Sequence, residues 1–168
     1  PEERLYIRGQ WQEGIVPTIG IEEKEKEQIE RFLKLMELFR TAKGNDGKFA
    51  FTIPLKNSSQ DTQFTQLDKI SFSSYLDKEG FSSPHLKWYL NYACKVDYGS
   101  TIEQTSAWAG IHYFAGRKGK AANAKNGDLL TWPEGNAWLA DQLKEQVKEH
   151  ITANALAYRI TQQEHSVI

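Results

Sequence analysis

Ile29-Glu30-Arg31-Phe32-Leu33-Lys34-Leu35-Met36-Glu37-Leu38-Phe39 is the stretch on which the fold turns. Ile29, Phe32, Leu33, Met36 and Phe39 recur at three- and four-residue spacing, which puts them on one face of a helix. The pattern predicts a helix over about 22–43. Glu22, Glu23, Glu25 and Glu27 crowd its start, where the helix dipole favours negative charge. Gly44-Asn45-Asp46-Gly47 ends it as a turn. A helix with one wide apolar face needs other elements to cover that face.

Upstream, Leu5-Tyr6-Ile7 and Gly14-Ile15-Val16 are short β-type runs around Gly9-Gln10, which predicts a hairpin or two bent strands. Downstream, Phe49-Ala50-Phe51-Thr52-Ile53 reads as a strand closed by Pro54, and 55–65 as a polar loop. Asp68 is placed to cap a short helix carrying Ile70, Phe72, Tyr75 and Leu76, which Gly80 terminates. Ser83-Pro84 opens another helix, with serine as cap and proline at the first helical position; Gly99-Ser100 breaks it. A further helix over 101–115 is apolar on most sides, as a buried or cavity-lining helix is. Residues 116–128 form a basic loop, and Leu129-Leu130-Thr131-Trp132 a short strand. Pro133-Glu134-Gly135 is a turn, and Asn136 caps a helix to about His150. Ala155 to Ile160 and a run from Ser166 predict a terminal hairpin.

Strands, then helices, then strands favour α+β over repeated βαβ units. We expect a helix-rich domain with a small antiparallel sheet formed by N-terminal, middle and C-terminal strands. No repeat and no linker divides the chain, so residues 1–168 read as a single domain.

Composition narrows the function. The net charge is −1, with acidic and basic residues mixed locally, so there is no basic excess to hold a phosphate backbone, and no nucleic-acid partner is expected. No apolar run reaches the ~18 residues that cross a bilayer, so no membrane span is expected. No leader pattern opens the chain, and the lone Cys94 fits a reducing compartment, so a cytoplasmic setting is expected. A start without Met and a stop inside an apparent strand predict a domain cut from a larger protein.

The search for chemistry removes most classes. His85, His112, His150 and His165 are widely separated and lack partners at ligand spacing, so no metal site is expected. Ser106 lacks the preceding glycine of a nucleophile elbow. Cys94, beside Tyr92 on a helix, reads as a small buried hydrophobe. Gly44-Asn45-Asp46-Gly47-Lys48 lacks the spacing of a phosphate loop, and Gly116-Arg117-Lys118-Gly119-Lys120 reads as a solvated loop. Asp97 and Glu103 flank the Gly99 break and read as helix-end charges before they read as a glycosidase pair. The aromatic stretches remain: Trp88-Tyr89-Leu90-Asn91-Tyr92 and Ser106 through Phe114. Their large rings alternate with small residues, which suits either a packed core or a pocket wall.

Leu67-Asp68-Lys69-Ile70-Ser71-Phe72, Asp97-Tyr98-Gly99, Ser106-Ala107-Trp108-Ala109-Gly110-Ile111-His112-Tyr113-Phe114-Ala115 and Leu130-Thr131-Trp132-Pro133-Glu134-Gly135-Asn136 carry a resemblance. Together they resemble the amine-oxidase-like branch of the FAD-dependent flavin amine-oxidase superfamily, over nearly the whole chain. The resemblance implies the middle, substrate-facing cap region of a larger oxidoreductase, whose FAD-binding domain lies elsewhere in the same parent chain. It implies FAD in the parent and none bound to this part alone. Trp88, Trp108, His112, Tyr113 and Trp132 are the implied walls of a small-molecule substrate pocket. Glu134, Gly135 and Asn136 are implied near the cofactor edge. The superfamily's second turn glycine is absent here, no flavin-proximal lysine is placed, and the catalytic residues are undefined.

Three functions stay open at this point. The chain is the substrate domain of a flavoprotein, inactive alone; or a stand-alone module whose aromatics stack on a sugar or other planar ligand; or a structural domain whose rings are only core.

Overall fold

The helix predicted from the central stretch forms as α1, Glu23–Thr41, and buries Ile29, Phe32 and Met36. The computed structural model describes residues 3–118 and 133–167. These residues are α+β, with helices and a two-stranded antiparallel sheet. Where the sequence reads as one domain, the chain divides into two compact units, residues 1–125 and 126–168.

In the first unit, β1 (Arg4–Ile7) and β2 (Gln10–Glu13) form the hairpin, with Tyr6 opposite Trp11. The second strand falls earlier than the Gly14-Ile15-Val16 run. The loop is two residues long, and both Arg8 and Gly9 have positive φ, at 50° and 78°. That backbone twists the strands the way a tight hairpin requires. From β2 the chain runs to α1 around the buried Gln12. Its amide nitrogen donates to the Val16 carbonyl at 2.7 Å, and its amide oxygen accepts from the Thr18 N–H at 2.9 Å.

Residues 49–53 form no strand. Phe49 is exposed while Ala50 and Phe51 are both buried, so side chains do not alternate as a strand demands. The segment folds back instead, with the Ala50 N–H on the Ala42 carbonyl and the Thr52 N–H on the Ser58 hydroxyl. The expected polar loop after it carries a short helix, α2 (Thr62–Thr65), which buries Phe64.

The next helix, α3 (Phe72–Lys78), is capped by the Ser71 hydroxyl, which accepts from the Ser74 N–H, and not by Asp68. Residues 66–69 form a separate 3₁₀ turn instead. Helix α4 (Pro84–Tyr98) starts and stops where its signals predict, with Ser83 accepting from the Leu86 N–H and Gly99 left-handed at φ 63°. Helix α5 (Ala107–Ala115) is shorter than predicted, because Ser106 caps it. The starts of α3 and α5 are stitched together: the Phe72 N–H donates to Thr105 and the Ala107 N–H to Ile70.

The core is aromatic. Phe32 of α1 is fully buried, and its ring lies 5.7 Å from Phe81, 5.2 Å from Phe114 and 6.4 Å from Phe72. Leu86, Leu90 and Cys94 of α4 and Ile111 of α5 complete it. Close approach of α5 to α3 depends on Gly110.

In the second unit, α6 (Asn136–Val147) continues as a 3₁₀ turn to His150, and every described residue from 133 to 167 is exposed. The expected terminal hairpin strands do not form. Leu156, Tyr158 and Ile160 stand 87, 91 and 76% exposed, and a single bridge joins Gln162 to Val167. The expected strand 129–132 lies outside the described residues. The three-part sheet expected from the sequence is therefore reduced, among the described residues, to its N-terminal hairpin.

A Cβ on Gly110 would sit 2.3 Å from the Phe72 ring, deep in the core. Gly110→Ala is expected to destabilise the protein by about 1–3 kcal/mol, the cost of overpacking, in urea unfolding followed by circular dichroism. An unchanged midpoint would contradict the packing described.

Candidate functional site

Of the residues that the sequence singles out, Trp108 and His112 share one place in the first unit. Trp108 and His112 are one helical turn apart on α5 and stack at 4.9 Å and 18°. Trp108 packs on Phe51 at 5.3 Å, and His112 Nε2 bonds the Thr52 carbonyl at 2.8 Å. These two rings hold the 49–53 segment onto α5. The Trp108 indole N–H is buried and has no hydrogen-bond partner among the described residues.

Tyr113 faces another way. Its ring meets Phe114 edge-on and lies 4.3 Å under the Arg117 guanidinium, which in turn pairs with Asp97 at 3.0 Å. Trp88 is 45% exposed and stacks on Tyr92 at 6.0 Å along the outside of α4. The structure thus brings Trp108 and His112 together and keeps Trp88 and Tyr113 apart from them. Trp132 lies outside the described residues. Glu134, Gly135 and Asn136 belong to the second unit and are exposed. Gly135 has φ 62° and ψ −150°, a backbone open in practice to glycine alone, and it immediately precedes α6.

Other residues weighed in the sequence take structural parts. Burial raises the Cys94 thiol, in keeping with an inert side chain. Lys118 donates to the carbonyls of Arg40 and Ala115, closing the ends of α1 and α5. Asp97 and Glu103 serve as charges near the end of α4, Glu103 being held low by the Thr101 hydroxyl.

The second place was not singled out in the sequence. Where α1 and α4 begin, an open cavity of about 570 Å³ is lined by Arg8, Gly20, Glu22, Lys24, Glu25, Gln28, Ser82, Ser83, Pro84 and His85. One edge of α1 builds its wall. Glu25, Gln28 and Arg31 follow at three-residue spacing and therefore share a face. The Gln28 side-chain oxygen accepts the N–H groups of Ser82 and Ser83 at 2.7 and 2.9 Å, and Arg31 donates to the Gly80 carbonyl at 2.9 Å.

Glu25 is the chemical centre of this wall. Its carboxylate accepts from the Ser83 hydroxyl at 2.8 Å and meets His85 Nδ1 at 2.9 Å. The bonds from His85 and Ser83 bring the Glu25 carboxyl down to about 2 from its ordinary 4.5. An ionised Glu25 fixes the His85 proton on Nδ1, which leaves Nε2 for other chemistry. The His85 side chain is 28% exposed, and Nε2 has no hydrogen-bond partner among the described residues. No sequence motif marks this pair, because its members lie sixty positions apart; the acidic start of α1 and the Ser-Pro-His cap are each ordinary helix signals.

Because its folded value is depressed, Glu25 contributes stability that is present above pH 4.5 and lost as the pH falls toward about 2. Glu25→Gln is expected to lower the urea midpoint at neutral pH, with the gap to the parent protein closing across that window. A gap that stays constant down to about pH 2 would contradict the pairing.

No protein-family model, curated protein or solved structure matches this chain.

Proposed function

We propose that this chain is the substrate-facing part of a flavin-dependent oxidoreductase and works with a FAD-binding domain of the same parent protein. The resemblance through Ser106–Ala115 and Thr131–Asn136 motivates the reading. The observation that carries it is Gly135. A glycine-only backbone feeds directly into a helix that has no side-chain cap on its first turn. A helix start without a side-chain cap suits the polar edge of a cofactor. The flavin would take up the hydride, and this part of the parent would hold the substrate. The second unit supports the same reading: α6 carries Leu139, Leu143 and Val147 on one face, all exposed, and a helix of this length owes its stability to packing.

A second reading rests on the exposed Trp88–Tyr92 stack, an aromatic platform of the kind that holds a sugar ring or other flat ligand. Ligand titrations that shift tryptophan fluorescence without any flavin would favour it.

The longer gene product, purified, is expected to be yellow with flavin absorbance, and Gly135→Val is expected to lower its flavin content while leaving the circular dichroism of the helices in place. A longer product that neither carries flavin nor binds added FAD would overturn the proposal.

A further inference from the structure

We propose that the cavity at the starts of α1 and α4 binds a small molecule through an oxyanion, a carboxylate or a phosphate group, on the guanidinium of Arg8. The site rests on no part of the flavin reading. Its volume of about 570 Å³ is in the range of small-molecule sites.

Arg8 is placed for this task at a backbone cost. It is a non-glycine residue at φ 50°, in the tight turn of the hairpin. Its side chain crosses Gly20 so closely that a Cβ there would stand 2.6 Å from Arg8 Cδ and 2.8 Å from Nε and Nη1. Gly20 itself has φ 68°, so two unusual backbone positions together seat one guanidinium on the cavity wall. Gln12 sets their spacing by pinning the chain between the hairpin and Gly20. The guanidinium has no carboxylate or other hydrogen-bond partner among the described residues, although Arg31, Arg40 and Arg117 all do. A planar fork of N–H donors left open in this way matches the two oxygens of a carboxylate or phosphate.

The opposite wall adds a hydroxyl and a cation. His85 lines the cavity with its ring held to Glu25 through Nδ1 and so reports on binding without donating to the anion. The Ser82 hydroxyl accepts from Gln28 Nε2 at 3.3 Å, so its own proton is free to donate. Lys24 adds a second cation with no ion-pair partner among the described residues. Two carboxylates also line the cavity, and they decide the ligand's charge. Glu25 is taken up by His85 and Ser83, whereas Glu22 remains and opposes anions. Arg8 and Lys24 balance the charges of Glu22 and Glu25, so the cavity suits a single anionic group held by direct bonds to Arg8 and not a polyanion.

The test uses the full 168-residue chain and two probes, inorganic phosphate and acetate, titrated separately while the NMR signals of His85 and of the backbone of 8, 20 and 82–85 are followed. At least one probe is expected to shift these signals saturably, and comparing the two tells phosphate from carboxylate preference. Arg8→Gln is expected to weaken binding roughly tenfold or more, as loss of a charge-assisted bidentate contact does. Gly20→Ala, which offers the ligand nothing of its own but displaces the Arg8 side chain, is expected to weaken it as well. Lys24→Gln is the control should the hairpin variants fail to fold, and it too is expected to weaken binding. The proposal is overturned if neither probe shifts these signals, or if the shifts persist undiminished in folded Arg8→Gln or Lys24→Gln protein.

Discussion

The carboxylate of Glu25 is the tie between the two long helices of the first unit. It receives the Ser83 hydroxyl and the His85 ring from the start of α4, and at 3.4 Å the N–H of Glu22 from its own helix. A hydroxyl, an imidazole and an amide thus converge on one charge, which explains why that carboxyl sits so far below its ordinary range. Three residues further on, Gln28 takes two more N–H groups of the same turn, and Arg31 its Gly80 carbonyl. The entry to α4 is held by one edge of α1 before any apolar contact is counted.

That edge and the buried face of the same helix act together. The edge sets where α4 begins, while Phe32 sets how deep α1 sits among Phe72, Phe81 and Phe114. Packing then propagates through α5, which reaches α3 only because Gly110 offers no side chain to the Phe72 ring. The aromatic residues divide accordingly. Phe32, Phe51, Phe64, Phe72, Tyr75 and Phe81 are buried in this core, and Trp108 with His112 clamps the 49–53 segment. Trp88 and Tyr92 stay outside.

Local signals were legible in the sequence and long-range ones were not. Ser83-Pro84 and Gly99 bound α4 because cap, proline and left-handed glycine each act within a turn of the helix. The three- and four-residue spacing of Ile29, Phe32 and Met36 likewise gave α1 its inner face. Asp68 and Ser71 compete to cap α3, and the winner is decided by α5, whose start pairs Ser71 with Ser106. Residues 49–53 have strand-forming side chains, but a strand needs a neighbour, and tertiary contacts with Ala42 and Ser58 took its place. The cavity was the least legible feature. Its lining comes from the hairpin turn, the connector before α1, the first turn of α1 and the start of α4, and each residue there reads alone as a turn, a cap or a solvated charge. The open Arg8 guanidinium becomes visible once Gly20 and Gln12 are seen to place it.

The state of His85 tests this account most directly, since both the helix tie and the free Nε2 depend on it. The chemical shifts of its two ring nitrogens in the folded chain report which one bears the proton. The account predicts a protonated Nδ1 bonded to Glu25, with a shift that moves in Glu25→Gln protein. A neutral ring protonated on Nε2, or shifts indifferent to Glu25, would contradict it.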